Sequence, residues 1–263
     1  MIRIGPGGLP GFKTEEGLAE ISRLGLSACE IEFTYGVRMS NEAALLAGKA
    51  AKENKIMLSV HAPYYVNLAS DEKLKVLASV ERILQSAQRA HFLGAKYVVF
   101  HPGFYQNKTA EETFDLIKEQ INNIQAEIKI REWDVFLAPE TTGKPSQFGS
   151  LAELLRLRKE TGCHLTIDFA HLRARGQGEI DYDSVFEKIK GIGHIHSHFS
   201  GIEWTEKGEK RHLGLTDDVI KPFISAVIKH NPDITIINES PEPIGDAVKI
   251  SGILNKMRNL QIK

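Results

Sequence analysis

The chain has 263 residues, of which 42% are hydrophobic and 25% are charged, and its 33 basic and 34 acidic side chains give a net charge of −1. This composition excludes a disordered or low-complexity chain, and it excludes a protein that coats itself with nucleic acid through bulk positive charge. No apolar run approaches the ~20 residues that span a bilayer, and the first residues lack the apolar segment of a secretory signal. Two cysteines, Cys29 and Cys163, lie in apolar runs without CxxC spacing. We therefore expect a reduced, cytoplasmic protein with buried thiols and no membrane contact.

Eight short runs rich in β-branched residues alternate with amphipathic stretches. The predicted strands are Ile2–Ile4, Ala28–Thr34, Met57–Ala62, Lys96–His101, Asp134–Glu140, His164–Asp168, His194–Phe199 and Ile234–Glu239. Helical spacing follows each of them, most clearly over Asp71–Leu93 and Ala110–Ile130. Gly25, Gly94 and Gly162 each end a helix ahead of the next strand.

Eight βα units in about 250 residues predict one α/β architecture, a (β/α)8 TIM barrel that occupies residues 1–263 as a single domain. An open doubly wound sheet is the alternative, and such sheets usually carry a glycine-rich phosphate-binding turn after the first strand. Here GPGGLPG follows the first strand, but two prolines interrupt it and the GxGxxG spacing is absent. We interpret this segment as a barrel loop.

Ionisable side chains mark the ends of six successive strands. They are His61, His101, Glu140, Asp168 with His171 three residues later, His198 and Glu239. One such residue is more often a helix cap or a hydrogen-bonding group, but six strand ends would seldom all carry one by chance. Barrel chemistry lies at this face, and carboxylates buried together need cations beside them. A mixed set of imidazoles and carboxylates suits Zn²⁺, Mn²⁺ or Fe²⁺ better than Mg²⁺ or Ca²⁺.

The seventh strand contains three histidines with alternate spacing. His194, His196 and His198 therefore share one face of the strand. His198 lies nearest the end of the strand and is the predicted ligand, whereas His196 is predicted to support the site from beneath.

The segment after the seventh strand, Gly201–Gly214, is long and charged. It is predicted to be a loop that folds over the rim and brings His212, with Lys210 and Arg211, to a phosphate. A solvated loop without a role in binding is the alternative interpretation.

Five sequence blocks occur in order along nearly the whole chain: HAPYYVNLAS, VVFHPG, LAPETTGKPSQFGS, TIDFAH and INESP. Together they resemble the endonuclease IV family of apurinic/apyrimidinic endonucleases, which belongs to the xylose-isomerase-like barrel superfamily. Members of that family hold three zinc ions at the barrel rim and cleave the DNA backbone 5′ to an abasic site. The resemblance implies a zinc-dependent DNA-repair hydrolase that binds double-stranded DNA with an abasic lesion. It implies two or three zinc ions, with manganese possible in their place, and we expect a monomer.

The resemblance also implies three groups of metal ligands when positions are matched to the family's blocks. The first group is His61, His101 and Glu140, the second is Glu140, Asp168, His198 and Glu239, and the third contains His171 and His212. Glu140 would bridge two ions, and Glu239 would orient the attacking water, so these two are the predicted catalytic residues.

Further positions match residues that contact DNA in the family, and two positions depart from its pattern. Tyr64 and Arg38 correspond to DNA contacts. Lys210 stands where the family's third site has an aspartate, and Glu209, one residue earlier, is the candidate replacement. The first-strand histidine of the family is absent from GPGGLPG.

Two other functions are compatible with the same residues. Glu140, Asp168, His198 and Glu239 alone form the single-metal set with which sugar isomerases and epimerases of this superfamily polarise a sugar. The additional histidines, His61, His101, His171 and His212, are superfluous for one ion but natural for two or three. The third possibility is a barrel that binds metal or nucleic acid without catalysis.

Overall fold

The computed structural model describes residues 1–261, in which strands and helices alternate along the chain. The strands are β1 Ile2–Pro6, β2 Ala28–Glu32, β3 Met57–His61, β4 Tyr97–Phe100, β5 Gly103–Phe104, β6 Phe136–Pro139, β7 Gln147–Phe148, β8 Thr166–Asp168, β9 Ile195–Phe199, β10 Gly201–Thr205, β11 Gly208–Leu213 and β12 Ile234–Asn238. The helices are α1 Thr14–Arg23, α2 Asn41–Glu53, α3 Lys73–Leu93, α4 Ala110–Ile130, α5 Leu151–Thr161, α6 Phe169–Arg175, α7 Tyr182–Lys188, α8 Asp217–His230 and α9 Pro243–Gln261.

Eight parallel strands form a closed barrel. Two sheets of four strands run in the orders β1-β12-β9-β8 and β2-β3-β4-β6. Parallel bridges join their edges, Gly7 with Glu30 on one side and Glu140 with Thr166 on the other. The predicted (β/α)8 TIM barrel is confirmed, and the open doubly wound sheet is excluded because neither edge is free.

The eight predicted strands are the barrel strands, although several end one or two residues earlier than predicted. His101, Glu140 and Glu239 each follow a strand instead of closing it. Two small antiparallel pairs lie outside the barrel, β5 with β7 and β10 with β11. The second pair corrects the prediction of a loop over 201–214, because a two-residue connection and a positive φ of 89° at Gly208 allow the segment to close as a hairpin.

The barrel closes tightly between β1 and β2, and this contact gives a test of the fold. A Cβ atom added to Gly5 would lie 1.7 Å from the carbonyl oxygen of Ala28, which is a fixed backbone atom. We expect Gly5→Ala to lower the free energy of unfolding by about 3 kcal/mol or more, as overpacking in a rigid core does. Chemical denaturation measures this loss.

The matched control is Gly252→Ala on α9, where an added Cβ meets no atom within 4 Å. It is expected to leave stability unchanged or to raise it by up to about 1 kcal/mol, because alanine is the better helix former. Equal unfolding midpoints for the two variants would contradict the close approach of β1 and β2.

Both cysteines are free and buried. Burial raises the pKa of the Cys163 thiol to about 11, so this side chain is a packed thiol and not a nucleophile. Within residues 1–261, no helix has the length and apolar character needed to cross a membrane.

Candidate metal centre

The structure brings the eight predicted ligands together at the rim formed by the carboxyl ends of the barrel strands. They are His61 at the end of β3, His101 after β4, Glu140 after β6, Asp168 at the end of β8, His171 on α6, His198 on β9, His212 on β11 and Glu239 after β12. Six of them stand on the barrel strands or immediately after them, so the barrel itself sets their positions, and His171 lies on the first turn of α6. His212 reaches the rim from the hairpin.

Glu140 occupies the middle of this set and is fully buried. Its Oε2 lies 3.2 Å from Nε2 of His61 and 3.0 Å from Nε2 of His101, whereas its Oε1 lies 3.0 Å from Nδ1 of His198. Burial opposes ionisation of this carboxyl, but the imidazoles of His198 and His101 outweigh it and hold the pKa well below its usual range. Glu140 is therefore a carboxylate whose two oxygens face two different groups of ligands.

The second group surrounds Oε1 of Glu140. Ligand atoms of Glu140, Asp168, His198 and Glu239 lie within 4.8 Å of one another. Nδ1 of His198 is 3.2 Å from Oε1 of Glu239. Burial raises the pKa of Asp168 to about 6, and repulsion from Glu140 and Glu239 acts in the same direction. The attraction of His171 opposes this rise but does not cancel it. Three carboxylates within such a space need positive charge among them.

The third group lies between α6 and the hairpin. Ligand atoms of Asp168, His171 and His212 lie within 4.8 Å of one another. The Asp168 carboxylate caps α6 by accepting a hydrogen bond of 2.7 Å from the His171 N–H, which places Asp168 at the N-cap and His171 on the first turn of the helix. Oε2 of Glu209 lies 3.3 Å from Nε2 of His171, so Glu209 faces this group.

A β-bulge explains how Glu209 and His212 can face the same side. Glu203 pairs with Arg211 and Trp204 pairs with Glu209, which leaves Lys210 as the extra residue of β11. Residues three apart on a regular strand point to opposite faces, but one inserted residue brings them to the same face.

The hairpin places Lys210 and Arg211 differently from the ligands beside them. Lys210 Nζ and Arg211 Nε donate to the carboxylate of Glu203 at 2.5 and 2.6 Å, and both cations are exposed.

The metal groups line a cavity of about 260 Å³ together with Lys144 and Gln147, which the sequence did not single out. Lys144 is therefore a basic side chain at this cavity, whereas the two predicted basic residues, Lys210 and Arg211, do not line it.

In three of the candidate ligand rings, the Nδ1 nitrogen contacts a backbone or hydroxyl oxygen. The contacts are His61 Nδ1 with the Ala62 carbonyl (2.7 Å), His171 Nδ1 with the Thr141 carbonyl (2.9 Å) and His212 Nδ1 with the Ser200 hydroxyl (2.7 Å). A carbonyl only accepts, and the Ser200 hydroxyl donates its proton to the Gly201 carbonyl, so Nδ1 is the donor in each case. A neutral ring then presents a bare Nε2 to the cavity, which is the state that binds a metal.

The separations between neighbouring ligand atoms test whether metal ions fit. Nitrogen and oxygen ligands of zinc lie about 2.0–2.2 Å from the ion, and two ligands of one tetrahedral ion are therefore about 3.3–3.6 Å apart. The imidazole–carboxylate separations around Glu140, Glu209 and Glu239 are 3.0–3.3 Å, at the lower end of this range or a few tenths of an ångström below it. The residues fit divalent ions with imidazole and carboxylate ligands.

Tyr64 and Arg38 occupy different parts of the rim. The Tyr64 ring lies 5.8 Å from the His61 ring and 6.4 Å from the His101 ring, and the side chain is more than half exposed above the metal groups. Arg38 lines a separate cavity of about 720 Å³, which also contains Glu32 and the exposed Tyr35. Tyr64 stands over the centre itself, and Arg38 lies beside a neighbouring cavity.

Glu30 and Glu32 are the acidic residues that the sequence did not predict. They alternate on β2, and Glu30 is fully buried inside the barrel. Glu30 Oε2 lies 2.9 Å from Nε2 of His196, which the sequence placed beneath the site. The period-two spacing of two carboxylates within a buried strand is the signal that could have revealed them.

The chain matches the sequence profile of the family described as xylose isomerase-like TIM barrel over residues 18–257. It is 36% identical to the uncharacterized protein MJ0133 of Methanocaldococcus jannaschii, over 98% of each chain. It is 30% identical to the probable endonuclease 4 of Listeria monocytogenes, over 71% of this chain and 67% of that protein.

Solved structures resemble this fold over nearly the whole chain. Endonuclease IV from Thermus thermophilus has a TM-score of 0.72 and 20% identity, with 97% of this chain and 99% of that chain covered. A D-tagatose 3-epimerase-like protein has a TM-score of 0.75 and 19% identity, with 99% and 100% covered. The chain therefore belongs to the xylose isomerase-like TIM-barrel family, and its relatives in that family include endonuclease IV proteins.

Proposed function

We propose that the chain is a metal-dependent phosphodiesterase that incises double-stranded DNA 5′ to abasic sites, as a cytoplasmic monomer with zinc as its native ion. The observation that carries the proposal is the position of Glu140, whose two oxygens face two separate ligand groups. One ion would need only one of these groups. The third group, with its own two histidines, strengthens the case for a phosphodiester as the substrate, because such sites stabilise both the attacking and the leaving oxygen.

Each ligand group has a proposed role. His61, His101 and Glu140 would hold one ion, the set around His198 a second, and His171, His212, Asp168 and Glu209 a third. Bound divalent ions supply charge neutralisation and Lewis acidity toward a phosphate. Because cations in the centre would add positive charge that the sequence count omits, a net charge of −1 is compatible with DNA as the substrate.

The remaining chemistry belongs to side chains. Glu239 is only partly buried, and we assign it the role of accepting a proton from the attacking water and orienting that water. Tyr64 stands exposed over the centre and is suited to fill the gap left by a missing base. Lys144 at the cavity, with Arg38, Lys210 and Arg211 further out on the rim, would contact backbone phosphates.

A sugar isomerase or epimerase is the second candidate. The set Glu140, Asp168, His198 and Glu239 could hold one ion without the other groups, and the epimerase-like structure shares the fold. The number and identity of the metal ions bound per chain distinguish the two candidates. Two or more zinc ions per chain would favour the nuclease, whereas one manganese or cobalt would favour the isomerase.

Incubation with a defined DNA substrate tests the proposed function. We expect the zinc-loaded protein to incise a duplex that carries one abasic site, leaving a 3′ hydroxyl on the 5′ side of the lesion. The same duplex without the lesion should stay intact, and a chelator should abolish incision. Protein that retains two or more zinc ions but leaves the abasic duplex intact would contradict the proposal. Conversion of a ketohexose by that protein would then identify the second candidate, and inactivity on both substrates would identify a binding protein.

A further inference from the structure

A buried polar cluster lies inside the barrel, directly beneath the second ligand group. Its centre is Glu30 on β2, whose side chain is fully excluded from solvent. An isolated carboxylate in such a place is costly and is retained only where other groups satisfy it. None of the three ligand groups around Glu140 and Asp168 includes Glu30, so its presence needs a separate explanation.

Both oxygens of Glu30 have neighbours on other strands. Its Oε2 accepts a hydrogen bond of 2.6 Å from the Ser59 hydroxyl on β3 and lies 2.9 Å from Nε2 of His196 on β9. Its Oε1 lies 2.8 Å from Nε2 of His198, also on β9. Glu30 is therefore fixed on one oxygen and presents the other to a ring that belongs to the metal centre.

Within the described residues, His198 differs from His61, His171 and His212 because its ring nitrogens contact only carboxylates and no carbonyl or hydroxyl. His61, His171 and His212 are held from behind by a carbonyl or a hydroxyl. His198 has carboxylates on both sides: Nδ1 lies 3.0 Å from Glu140 and Nε2 lies 2.8 Å from Glu30. It belongs to the group that contains three carboxylates, where a strongly basic nitrogen ligand is most needed.

A carboxylate has no proton to donate, and a neutral imidazole has one proton to place. Oε1 of Glu30 and Nε2 of His198 are buried 2.8 Å apart, and neither atom has a hydrogen-bond partner within residues 1–261. A proton on Nε2 therefore has this carboxylate oxygen as its nearest acceptor, and the lone pair of Nδ1 is then 3.0 Å from Glu140 and 3.2 Å from Glu239. If the proton stays on Nδ1, no nitrogen lone pair of His198 reaches the second group. His198 is the one imidazole in the second group, Glu140, Asp168, His198 and Glu239. The nitrogen that carries the proton thus decides whether this imidazole can serve as a ligand there.

We propose that Glu30 is a positioning residue that holds the proton of His198 on Nε2 and so directs Nδ1 into the second metal group. Ser59 and His196 keep Glu30 in the orientation that this requires. This inference rests on the metal centre of the proposed function but not on its reaction, because it concerns the assembly of one ligand group.

The test compares Glu30→Gln with wild-type protein loaded with zinc. Chelator competition measures the affinity of each ion, and ¹⁵N–¹H spectra of the histidine rings report which nitrogen of His198 carries the proton, with His198→Gln assigning the signal. We expect wild type to show a protonated Nε2 on His198. The Glu30→Gln protein should bind the second ion about 10–100-fold more weakly, with the first and third ions changed less than about twofold.

Glu32→Gln is the matched control, since it removes a carboxylate from the same strand and the same face. It is expected to leave the Nε2 proton signal of His198 in place. If Glu30→Gln does not fold, Ser59→Ala serves instead, because it removes one hydrogen bond from Glu30, and about a threefold loss at the second ion is expected.

Three results would overturn the inference: unchanged affinity for the second ion in Glu30→Gln, an equal loss in Glu32→Gln, or a proton on Nδ1 of His198 in the zinc-loaded wild type. Wild-type protein that binds no second ion would overturn both this inference and the multi-metal centre. A wild type with all its ions and an insensitive Glu30→Gln protein would overturn this inference alone.

Discussion

Replacing Glu140 by glutamine is expected to lower the rate of abasic-site incision by about 10³-fold, or roughly 4 kcal/mol of transition-state stabilisation. The reason is the position of this carboxylate, which faces His61 and His101 with one oxygen and His198 with the other. An amide keeps the shape but removes the negative charge, and it offers a poor bridging ligand. The zinc content should fall by one or two ions per chain.

The fold of Glu140→Gln should survive, because the amide keeps the size and shape of the buried side chain and leaves the hydrophobic core of the barrel unchanged. Circular dichroism of the variant and its melting temperature without metal measure whether the fold is retained. Glu209→Gln is the matched control, since Glu209 faces only the third group and should cost no more than one ion. Full incision activity in the Glu140→Gln protein would contradict both the bridging role and the proposed mechanism.

Removal of the metals is expected to produce the second large effect, a fall of about 10 °C in the melting temperature for each tightly held ion. A ligand at 1,000 times its dissociation constant stabilises the native state by about 4.1 kcal/mol. For a protein of 263 residues, one kcal/mol corresponds to about 2–4 °C. Thermal unfolding with zinc, with chelator and with zinc restored measures the effect. A melting temperature that is indifferent to chelation would count against a metal centre in the folded protein.

The pH dependence of the chelated protein has a predictable sign. Burial works against the charged form of His61, but Glu140 and Glu32 raise its pKa from 6.5 to about 10. A pKa that is raised on folding contributes stability that is full below pH 6.5 and is lost as the pH rises toward 10. The chelated protein should therefore lose stability across that range. The zinc-loaded protein should lose less, because an ion replaces the proton, and thermal scans at several pH values compare the two.

The sequence was most informative where one local rule acted without competition. The bounds of α4 were predicted from spacing, and the structure shows why: Thr109 and Glu112 form a capping box that fixes its first turn. The ligands at the strand ends were predicted because parallel strands in a barrel must present their carboxyl ends at one face. A register error within a strand cannot move such residues to the other end of the barrel.

Residues whose position depends on tertiary contacts were harder to predict. The segment 201–214 has no clear alternation, because Lys210 is inserted into β11 and interrupts the period of two. Glu30 was missed because it lies in the middle of a strand, where a carboxylate is expected only when partners from β3 and β9 satisfy it. Those partners lie 29 or more residues away in the sequence, so no local pattern predicts that they contact Glu30.

The bulge at Lys210 also shows which part of the candidate centre can vary independently of the barrel. The second group consists of residues from four barrel strands or their ends, so its geometry depends on the barrel alone. Half of the third group stands on a two-stranded appendage, where inserting or deleting one residue exchanges which side chains face inward. Insertion or deletion of one codon in the hairpin would therefore be enough to add or remove a ligand of the third group, with no rebuilding of the barrel core.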